Sequence, residues 1–372
     1  MAPQKTRFSR RDFLRLATAG AGTVVAGPLL QACGPKPPAA TPTATSVPPT
    51  ATATPLPTSA SGLPGLVKVY PAVSASRVVQ THHSGAWTDP TSKDKTLVPE
   101  VLRKMLDASI AKLTGMDDAK AAWAALFRPG EKIAIKVNAF SNSIIWTHVP
   151  LVTEVTNSLQ DAGIKAEDIT IYDNRTVELT RAGFTVNPDG PGVRCVGIDS
   201  NYEQESTQVM TRQINLGSVL KNCDALINIP VLKSHMMSGV SFAMKNHFGS
   251  YNAPALLHSV NLQEISALNA IPEIKNRTRL IVGDALAANL RFANSFPYWQ
   301  EDWVGDSIFM SFDPVAHDQV GLNLMVKELE KLGMGSPAAL IGMSNAYLNY
   351  AVELGLGTRD AANIELIEQT LA

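Results

Sequence analysis

The stretch Lys132-Ile133-Ala134-Ile135-Lys136-Val137-Asn138 decides the fold class, because its short apolar run is typical of a buried β-strand. A helical spacing of apolar residues follows over residues 150–162, with Gly163 at the expected C-cap. The next apolar run, Ile169-Thr170-Ile171-Tyr172-Asp173, is again typical of a strand. Strands that alternate with helices of about 10–15 residues predict an α/β protein with a mainly parallel sheet flanked by helices.

The same alternation continues on both sides of this unit. Apolar runs predict further strands at residues 67–79, 193–198, 225–231, 238–244, 280–282 and 308–312. Helical spacing predicts helices at residues 99–113, 117–127, 314–332 and 337–354. We therefore assign residues 66–372 to one α/β domain.

Three of the predicted strands end in a lysine that is followed two residues later by an amide or an imidazole. The pairs are Lys136 with Asn138, Lys233 with His235, and Lys245 with His247. Two further strands end in the carboxylates Asp173 and Asp284. Residues two apart in an extended chain point to the same face, and ligands of parallel sheets bind beyond the carboxyl ends of the strands. The sequence therefore predicts one site at this edge of the sheet.

Such a site would hold three ammonium groups close together. Like charges repel unless an anion or a carboxylate lies between them, so an anionic small molecule is the expected ligand. Crowded cations also lower the pKa of a lysine, which favours its use as a base or a nucleophile. We assign acid–base catalysis, if it occurs, to Lys233, His235 and Asp284. We assign ligand binding to Lys136, Asn138, Asp173, Lys245, Asn246 and His247. The alternative is that these are solvated charges at unrelated strand ends.

The sequence leaves the cofactor unknown, and a divalent metal ion is one candidate because imidazole nitrogens and carboxylate oxygens are suitable ligands. The residues that could supply them are His82, His83, His148, His235, His247, Asp173 and Asp284. No histidine pair has the i, i+4 spacing of a helical metal site, and no H-E-x-x-H occurs. We interpret His258 and His317 as structural residues.

The chain has three cysteines, none of them in C-x-x-C spacing, and we expect no iron–sulfur cluster. Outside the cytoplasm Cys195 and Cys223 could form a disulfide. They could equally be two separate thiols that pack as small apolar residues.

The N-terminal 32 residues have the features of an export signal. Ser9-Arg10-Arg11-Asp12-Phe13-Leu14-Arg15 resembles the twin-arginine motif, with Arg10 and Arg11 as its arginine pair, and a weakly apolar stretch without charges follows over residues 16–35. Leu30-Gln31-Ala32-Cys33 resembles a bacterial lipobox, so Cys33 is expected to carry lipid. The alternative is cleavage by the ordinary signal peptidase, which would release a soluble product.

Residues 33–65 are expected to form a tether. Pro, Thr, Ala and Ser dominate this segment, and ten of the 24 prolines of the chain lie before Gly62. Such a composition buries too little apolar surface to fold, and its prolines favour extended conformations. The twin-arginine translocase and the membrane are therefore the expected partners, with the folded domain held outside the cytoplasm by the lipid on Cys33.

The charge of the chain depends on the signal. The whole sequence has 32 basic and 33 acidic residues. Residues 1–32 contain five of the basic residues and one acidic residue, so the chain from Cys33 onward has a formal charge of −5. A mildly acidic domain does not indicate nucleic-acid binding. A group of lysines at its strand ends would be a local exception to its overall negative charge.

The predicted strand ends also carry a family resemblance. The segments are Ile135-Lys136-Val137-Asn138, Asp168-Ile169-Thr170-Ile171-Tyr172-Asp173, Ile227-Asn228-Ile229-Pro230-Val231-Leu232-Lys233-Ser234-His235, Ala243-Met244-Lys245-Asn246-His247-Phe248-Gly249, Arg279-Leu280-Ile281-Val282-Gly283-Asp284-Ala285 and Asp313-Pro314-Val315-Ala316-His317-Asp318. With them, the chain resembles the bacterial and archaeal family called domain of unknown function 362, in its secreted twin-arginine lipoprotein branch, over about residues 67–331.

The resemblance implies an α/β fold and little chemistry. Many members carry an added ferredoxin-like module with cysteine motifs, which this chain lacks, so an iron–sulfur role does not carry over. A Thr-His-Pro segment that is common in the family reads Trp146-Thr147-His148-Val149-Pro150 here, with an inserted valine.

The leading hypothesis is an exported, lipid-anchored α/β protein with an anion-binding site at its strand ends. The sequence leaves open whether this site is catalytic. A second hypothesis is a solute-binding lipoprotein that does not change its ligand, and a third is a structural surface protein. The first two require the lysines to converge on one site, whereas the third predicts that they diverge.

Overall fold

The computed structural model describes residues 76–140, 145–199, 201–258, 262–291 and 301–372. All of these residues belong to one unit that begins at Gly62. The arginine pair Arg10 and Arg11, the lipidation residue Cys33, the tether and residues 66–75 of the assigned domain lie outside the described residues.

Twelve strands occur in the described part of the chain. They are β1 (Ser76–His82), β2 (Ile133–Val137), β3 (Ile169–Asp173), β4 (Arg194–Gly197), β5 (Thr207–Val209), β6 (Arg212–Ile214), β7 (Ala225–Ile229), β8 (Val231–His235), β9 (Gly239–Ser241), β10 (Thr278–Asn289), β11 (Trp303–Ser311) and β12 (Ile364–Thr370). Ten of them form one sheet in the order β12-β1-β11-β10-β7-β2-β3-β4, with β8 beside β10 and β9 beside β8. Strands β5 and β6 form a separate pair.

The helices lie between these strands in the chain. They are α1 (Pro99–Thr114), α2 (Ala119–Leu126), α3 (Val149–Asp161), α4 (Thr176–Arg181), α5 (Ser218–Asn222), α6 (Ala243–Asn246), α7 (Gln263–Asn269), α8 (Pro272–Lys275), α9 (Pro314–Lys331) and α10 (Ala338–Glu353). Single 3-10 turns occur at Ala166–Asp168, His247–Ser250, Pro254–Leu257 and Ala361–Asn363. Over the residues that the structure describes, none of the helices is both long enough and apolar enough to cross a membrane.

Most neighbouring strands of the large sheet are parallel. Strand β2 pairs in parallel with β3 and β7, and the pairs β3–β4, β7–β10, β8–β10 and β1–β12 are also parallel. Antiparallel pairs are β1–β11, β10–β11 and β8–β9. The predicted fold class, an α/β protein with a mainly parallel sheet flanked by helices, is confirmed.

Alternate residues of the central strands face two different hydrophobic cores. Ile133, Ile135 and Val137 pack in the core that also contains residues of α1 and α3. Ala134 packs in the other core, with residues of α9 and α10. Because side chains of a strand alternate with a period of two, Lys136 points to the same side as Ala134 and is fully buried there.

The prediction of a strand over residues 238–244 is wrong at its C-terminal end. The strand covers only Gly239–Ser241, and helix α6 follows. The carboxylate of Asp318 accepts the backbone N–H groups of Ala243 at 2.7 Å and Met244 at 3.0 Å, and thereby caps the first turn of this helix. Lys245 and Asn246 therefore lie in a helix and His247 follows it, so the predicted extended face shared by Lys245 and His247 does not exist.

The end of strand β10 also differs from the prediction. The strand continues past Asp284 to Asn289, because β11 and β8 both pair with this part of it. Asp284 therefore lies in the middle of a strand, and its predicted position at a strand end is wrong. The strand predicted over residues 225–231 is interrupted at Pro230, which has no N–H group to donate.

Cys195 and Cys223 are two separate free thiols in the cores of the domain. Burial raises the pKa of Cys195 to about 12 and also raises the pKa of Cys223. Of the two alternatives, the structure thus has buried thiols rather than a disulfide.

Candidate functional site

A buried ion pair lies at the centre of the candidate site. The Nζ atom of Lys136 on β2 lies 2.7 Å from Oδ1 of Asp173 at the end of β3, and both side chains are buried. Oδ2 of Asp173 accepts the backbone N–H of Ala139 at 2.6 Å. Burial lowers the pKa of Lys136, and the carboxylate of Asp173 opposes this effect. The lysine that interrupts the apolar strand is therefore held by a direct counter-charge.

Three asparagines, Asn138, Asn228 and Asn246, surround this pair and form with it a polar row. Oδ1 of Asn246 accepts hydrogen bonds from Lys136 Nζ and from Asn138 Nδ2, each at 3.3 Å. Its Nδ2 donates to Asn228 Oδ1 at 2.7 Å and to the carbonyl oxygen of Lys136 at 3.2 Å. Sequence reasoning missed Asn228, which the register of β2 and β7 places directly opposite Lys136.

The ammonium group of Lys233 lies beside this row. Its Nζ donates to Oδ1 of Asn138 at 2.8 Å and to the carbonyl oxygen of Phe140 at 3.2 Å. Burial lowers the pKa of Lys233 to about 7, with Asp173 opposing the shift and Lys136 adding to it. A lysine with such a pKa is half protonated at neutral pH.

Lys245 contacts a histidine rather than a carboxylate. Its Nζ lies 2.7 Å from Nε2 of His258 and 3.4 Å from the centre of the Phe248 ring. Burial lowers the pKa of Lys245 well below its ordinary value, and the charge of Lys233 adds to this. Burial and Lys245 lower the pKa of His258 to about 3. The interpretation of His258 as a structural residue therefore missed a contact of the site, for which no sequence spacing is a signal.

His235 lies next to these two residues. The ring centres of His235 and His258 are 5.6 Å apart. Burial lowers the pKa of His235 well below its ordinary value, and the charges of Lys245, His258 and Lys233 lower it further. Nδ1 of His235 accepts the backbone N–H of Met237 at 3.2 Å, so in the neutral ring Nε2 carries the proton.

His247 lies behind the polar row. Its Nδ1 lies 3.2 Å from Oγ of Ser250, and its Nε2 lies 3.4 Å from Nδ2 of Asn228. Burial lowers its pKa to about 3, and the charge of Lys136 adds to the effect. His247 thus supports Asn228 and contacts none of the three lysines through the hydrogen bonds of the described residues.

Asp284 belongs to a second, separate pair with His148. One oxygen, Oδ2, accepts both the backbone N–H and the ring Nδ1 of His148, each at 2.8 Å. The other oxygen accepts the N–H of Leu286 at 3.2 Å. The His148 ring lies edge-on to Trp87, with ring centres 5.4 Å apart, and its side chain is 16% exposed. Burial disfavours the charged ring, but Asp284 outweighs burial and raises the pKa of His148.

Helix α6 is held in place by side chains from three other elements. Besides the Asp318 cap from α9, Nδ2 of Asn228 donates to the carbonyl oxygen of Ala243 and Nδ2 of Asn269 donates to that of Met244, each at 2.8 Å. The following turn lies against the ion pair, because a Cβ atom on Gly249 would be 2.1 Å from Asp173 Oδ1. Only glycine fits at this position.

The structure thus sorts the predicted site residues into one cluster and two outlying positions. The residues brought together are Lys136, Asn138, Asp173, Lys233, His235, Lys245 and Asn246. His247 lies behind them, and Asp284 is paired with His148. Within the described ranges, no three His, Cys, Asp or Glu side chains are placed to hold a metal ion, and a divalent metal stays a prediction.

The family model described as "Domain of unknown function (DUF362)" matches residues 133–323. This chain belongs to the DUF362 family. The DUF362 match includes all three lysines, Asp173 and the His148–Asp284 pair. A second model, described as the TAT signal of the ubiquitinol-cytochrome C reductase Fe-S subunit, matches residues 1–30. The N-terminus of this DUF362 protein is therefore similar to a twin-arginine export signal.

Two solved structures are among those that are similar to the chain, and no curated protein matches the chain. The lactate racemase apoprotein from Thermoanaerobacterium thermosaccharolyticum is 13% identical with a TM-score of 0.34, and the match covers 50% of this chain and 48% of that one. A Thermotoga maritima protein solved by a structural genomics consortium is 9% identical with a TM-score of 0.35, covering 69% and 59%. The DUF362 chain thus spans about half the length of the lactate racemase chain.

The substitution Asp173→Asn is expected to destabilise the fold by about 3–5 kcal/mol, because it leaves the buried charge of Lys136 without its counter-charge. Urea unfolding at neutral pH measures this loss. The control is Glu365→Gln, which removes the exposed pair with Arg77 and should cost less than about 1 kcal/mol. Equal losses of unfolding free energy in the two variants would contradict the central role of the ion pair. The double variant Lys136→Met/Asp173→Asn no longer has the uncompensated charge, so a double variant less stable than Asp173→Asn would contradict it as well.

The pKa of His148 is expected to fall in Asp284→Asn, because burial then acts on the ring without the opposing carboxylate. In the wild type this pKa is raised, so the pair stabilises the fold fully at pH values below the unfolded-state pKa of histidine. The contribution is lost as the pH rises through the folded-state pKa. NMR titration of the ring measures both effects, with His148→Gln to assign the signal. An unchanged titration in Asp284→Asn would show that the pair does not set the charge of His148.

Proposed function

We propose that this DUF362 protein is exported by the twin-arginine translocase, anchored to the membrane by lipid on Cys33, and binds a small anionic ligand outside the cytoplasm. The ligand site is the lysine cluster, which consists of Lys136, Lys233 and Lys245. The observation that carries the proposal is the set of hydrogen bonds that links Lys136 to Lys233 through Asn246 and Asn138, with Lys245 beside Asn246 in helix α6. In the proposed arrangement residues 33–65 are the tether and residues 66–372 the folded domain.

The charges around the lysine cluster favour an anion. Asp173 compensates Lys136 directly, and the ammonium group of Lys233 lies against the oxygens of Asn138 and Phe140. Within the described ranges, Lys245 forms no ion pair with a carboxylate. Burial and the charge of Lys136 disfavour the ammonium form of Lys233, and an anion beside it would favour this form. Such a ligand would also receive charge-assisted hydrogen bonds from preorganised donors.

Acid–base catalysis at the lysine cluster is supported by the pKa of Lys233, which burial lowers to about 7. A group with such a pKa can donate and accept a proton at neutral pH. We propose Lys233 and His235 as the acid–base residues, with Asp284 acting through His148. The second candidate is a solute-binding lipoprotein that releases its ligand unchanged, and product analysis after incubation of the purified protein with a bound ligand separates the two.

The substitution Lys233→Met is expected to weaken the binding of glycolate or inorganic phosphate about 10- to 100-fold, because a hydrogen bond to a charged group contributes about 1.5–3 kcal/mol. Isothermal titration calorimetry measures the affinity. The matched control is Lys104→Met, which makes the same change of charge at an exposed position of α1 and should bind like the wild type. Failure of the wild type to bind either anion would contradict the proposed site.

Binding should also depend on pH in a defined direction. An anion raises the pKa of Lys233 above its value of about 7 in the free protein, so binding takes up a proton once the pH exceeds 7. The affinity is then highest below pH 7 and falls by up to about tenfold for each pH unit above it. Calorimetry in two buffers of different ionisation enthalpy detects the proton, and Lys233→Met should lose this dependence.

The anchoring proposal predicts that full-length protein in its bacterial host incorporates labelled palmitate and is found in the membrane fraction. Cys33→Ser should be exported without label, whereas Arg10→Lys/Arg11→Lys should stay in the cytoplasm. Cys195→Ser is the matched control and should keep the label, because Cys195 is buried in the folded domain. A wild-type protein that is exported but carries no label would contradict lipidation and favour cleavage by the ordinary signal peptidase.

A further inference from the structure

We propose that Lys245 is a nucleophile that forms a Schiff base with an anionic carbonyl compound of the 2-oxo acid class, with His258 as its base. The inference rests on the proposed anion site and adds the class of compound and the chemical step.

The hydrogen bonds of His258 determine which ring nitrogen is the base. Nδ1 of His258 lies 2.8 Å from the carbonyl oxygen of Pro254. A carbonyl oxygen only accepts hydrogen bonds, so the proton of the neutral ring is on Nδ1 and the lone pair is on Nε2. This lone pair points to Nζ of Lys245 at 2.7 Å. Lys245 is thus the nucleophile, His258 is the base, and the carbonyl group of Pro254 orients the base, as in other activated nucleophiles.

The surroundings of Lys245 favour its neutral amine. The side chain is buried, and burial disfavours its charged form. Lys233 lies close enough for its charge to add to the effect of burial on the pKa of Lys245. Desolvation and a neighbouring cation are the two conditions that make a lysine a nucleophile at neutral pH.

The other two lysines have contacts that suit a cation instead. Lys136 is paired with Asp173, and Lys233 donates to the side-chain oxygen of Asn138 and to a backbone carbonyl oxygen. Oxygen acceptors stabilise an ammonium group and take no proton from it. Lys136 and Lys233 thus contact oxygen acceptors, whereas Lys245 contacts a ring nitrogen that can take its proton.

The step balances without a further reactant. The lone pair of Lys245 Nζ forms a bond to the carbonyl carbon, and the C=O π pair moves to the oxygen. His258 Nε2 takes a proton from Nζ and passes it to that oxygen, which yields a carbinolamine. His258 Nε2 then takes the remaining proton of Nζ and gives it to the hydroxyl, which leaves as water while the nitrogen lone pair forms the C=N bond. The products are one imine and one water molecule.

The carboxylate of a 2-oxo acid matches the rest of the cluster. It lies one bond from the carbonyl carbon, so an acid group bound by Lys233 would place the carbonyl near Lys245. A carbonyl compound without the negative charge would lack this contact. The class of compound is therefore an acid with an adjacent carbonyl group.

The experiment treats the full-length protein with glyoxylate and sodium borohydride, and then maps the modified lysines by peptide mass spectrometry. The expected result is one carboxymethyl group on Lys245 and none on the exposed Lys104. Lys245→Arg should lose the label, and its folding is checked by thermal unfolding. His258→Gln should slow labelling on the order of 100-fold, which is typical for loss of a general base. Lys104→Met should label at the wild-type rate.

Glycolate, which has the carboxylate but no carbonyl group, separates this inference from the proposed anion site. Glycolate binding without a label on Lys245 would overturn the Schiff-base inference and leave the anion site in place. A label on Lys245 without glycolate binding would overturn the anion site and support the covalent step. A label distributed over Lys104 and other exposed lysines would overturn the inference. The peptide map of the wild-type protein decides this outcome, so the test does not depend on the folding of any variant.

Discussion

The rest of the candidate site depends on the buried ion pair between Lys136 and Asp173. An isolated charge inside a protein costs several kcal/mol, so the chain tolerates Lys136 in a buried strand only with a close partner and saturated hydrogen bonds. The adjacent strands β2 and β3 supply the two charges, the N–H of Ala139 fixes the carboxylate, and Asn246 binds the ammonium group from the other side. A substitution of either charged residue therefore disturbs the hydrogen bonds of the whole polar row.

Helix α6 connects this ion pair to the C-terminal part of the chain. It is only four residues long and cannot be stable by itself, because a single turn does not compensate for the ordering of its backbone. Asp318 from α9, Asn228 from β7 and Asn269 from α7 satisfy its backbone groups instead. Helix α6, which carries Lys245 and Asn246, is consequently positioned by residues up to 75 positions away in the chain, and the site exists only when these distant segments are folded together.

Two groups of titratable residues have pKa values that are shifted in opposite directions. Burial and like charges lower the pKa values of Lys233 in the lysine cluster and of the adjacent His235. Asp284, in contrast, raises the pKa of His148. Thr147 precedes His148 in the chain and contacts the strands of the lysine cluster. Its hydroxyl accepts the N–H of Asn138 and donates to the carbonyl oxygen of Ile229, each at 2.8 Å. One group thus favours neutral bases, and in the other the carboxylate of Asp284 favours the charged imidazole of His148. Pairs of this kind can divide the donation and acceptance of protons.

The sequence by itself determined the fold class, the similarity of residues 1–30 to an export signal, and the strand that carries Lys136. The strand that carries Lys233, β8, is separate from the one predicted over residues 225–231. The fold class and the strand of Lys136 follow from local hydrophobic periodicity, and the export signal follows from the motif around Arg10 and Arg11. Only the tertiary structure decided that Lys245 lies in a helix, that His258 contacts it, that Asn228 lies opposite Lys136, that Asp284 is paired with His148, and that β12 pairs with β1. Each of these depends on strand register or on a side chain distant in sequence, and neither leaves a periodic signal in the chain.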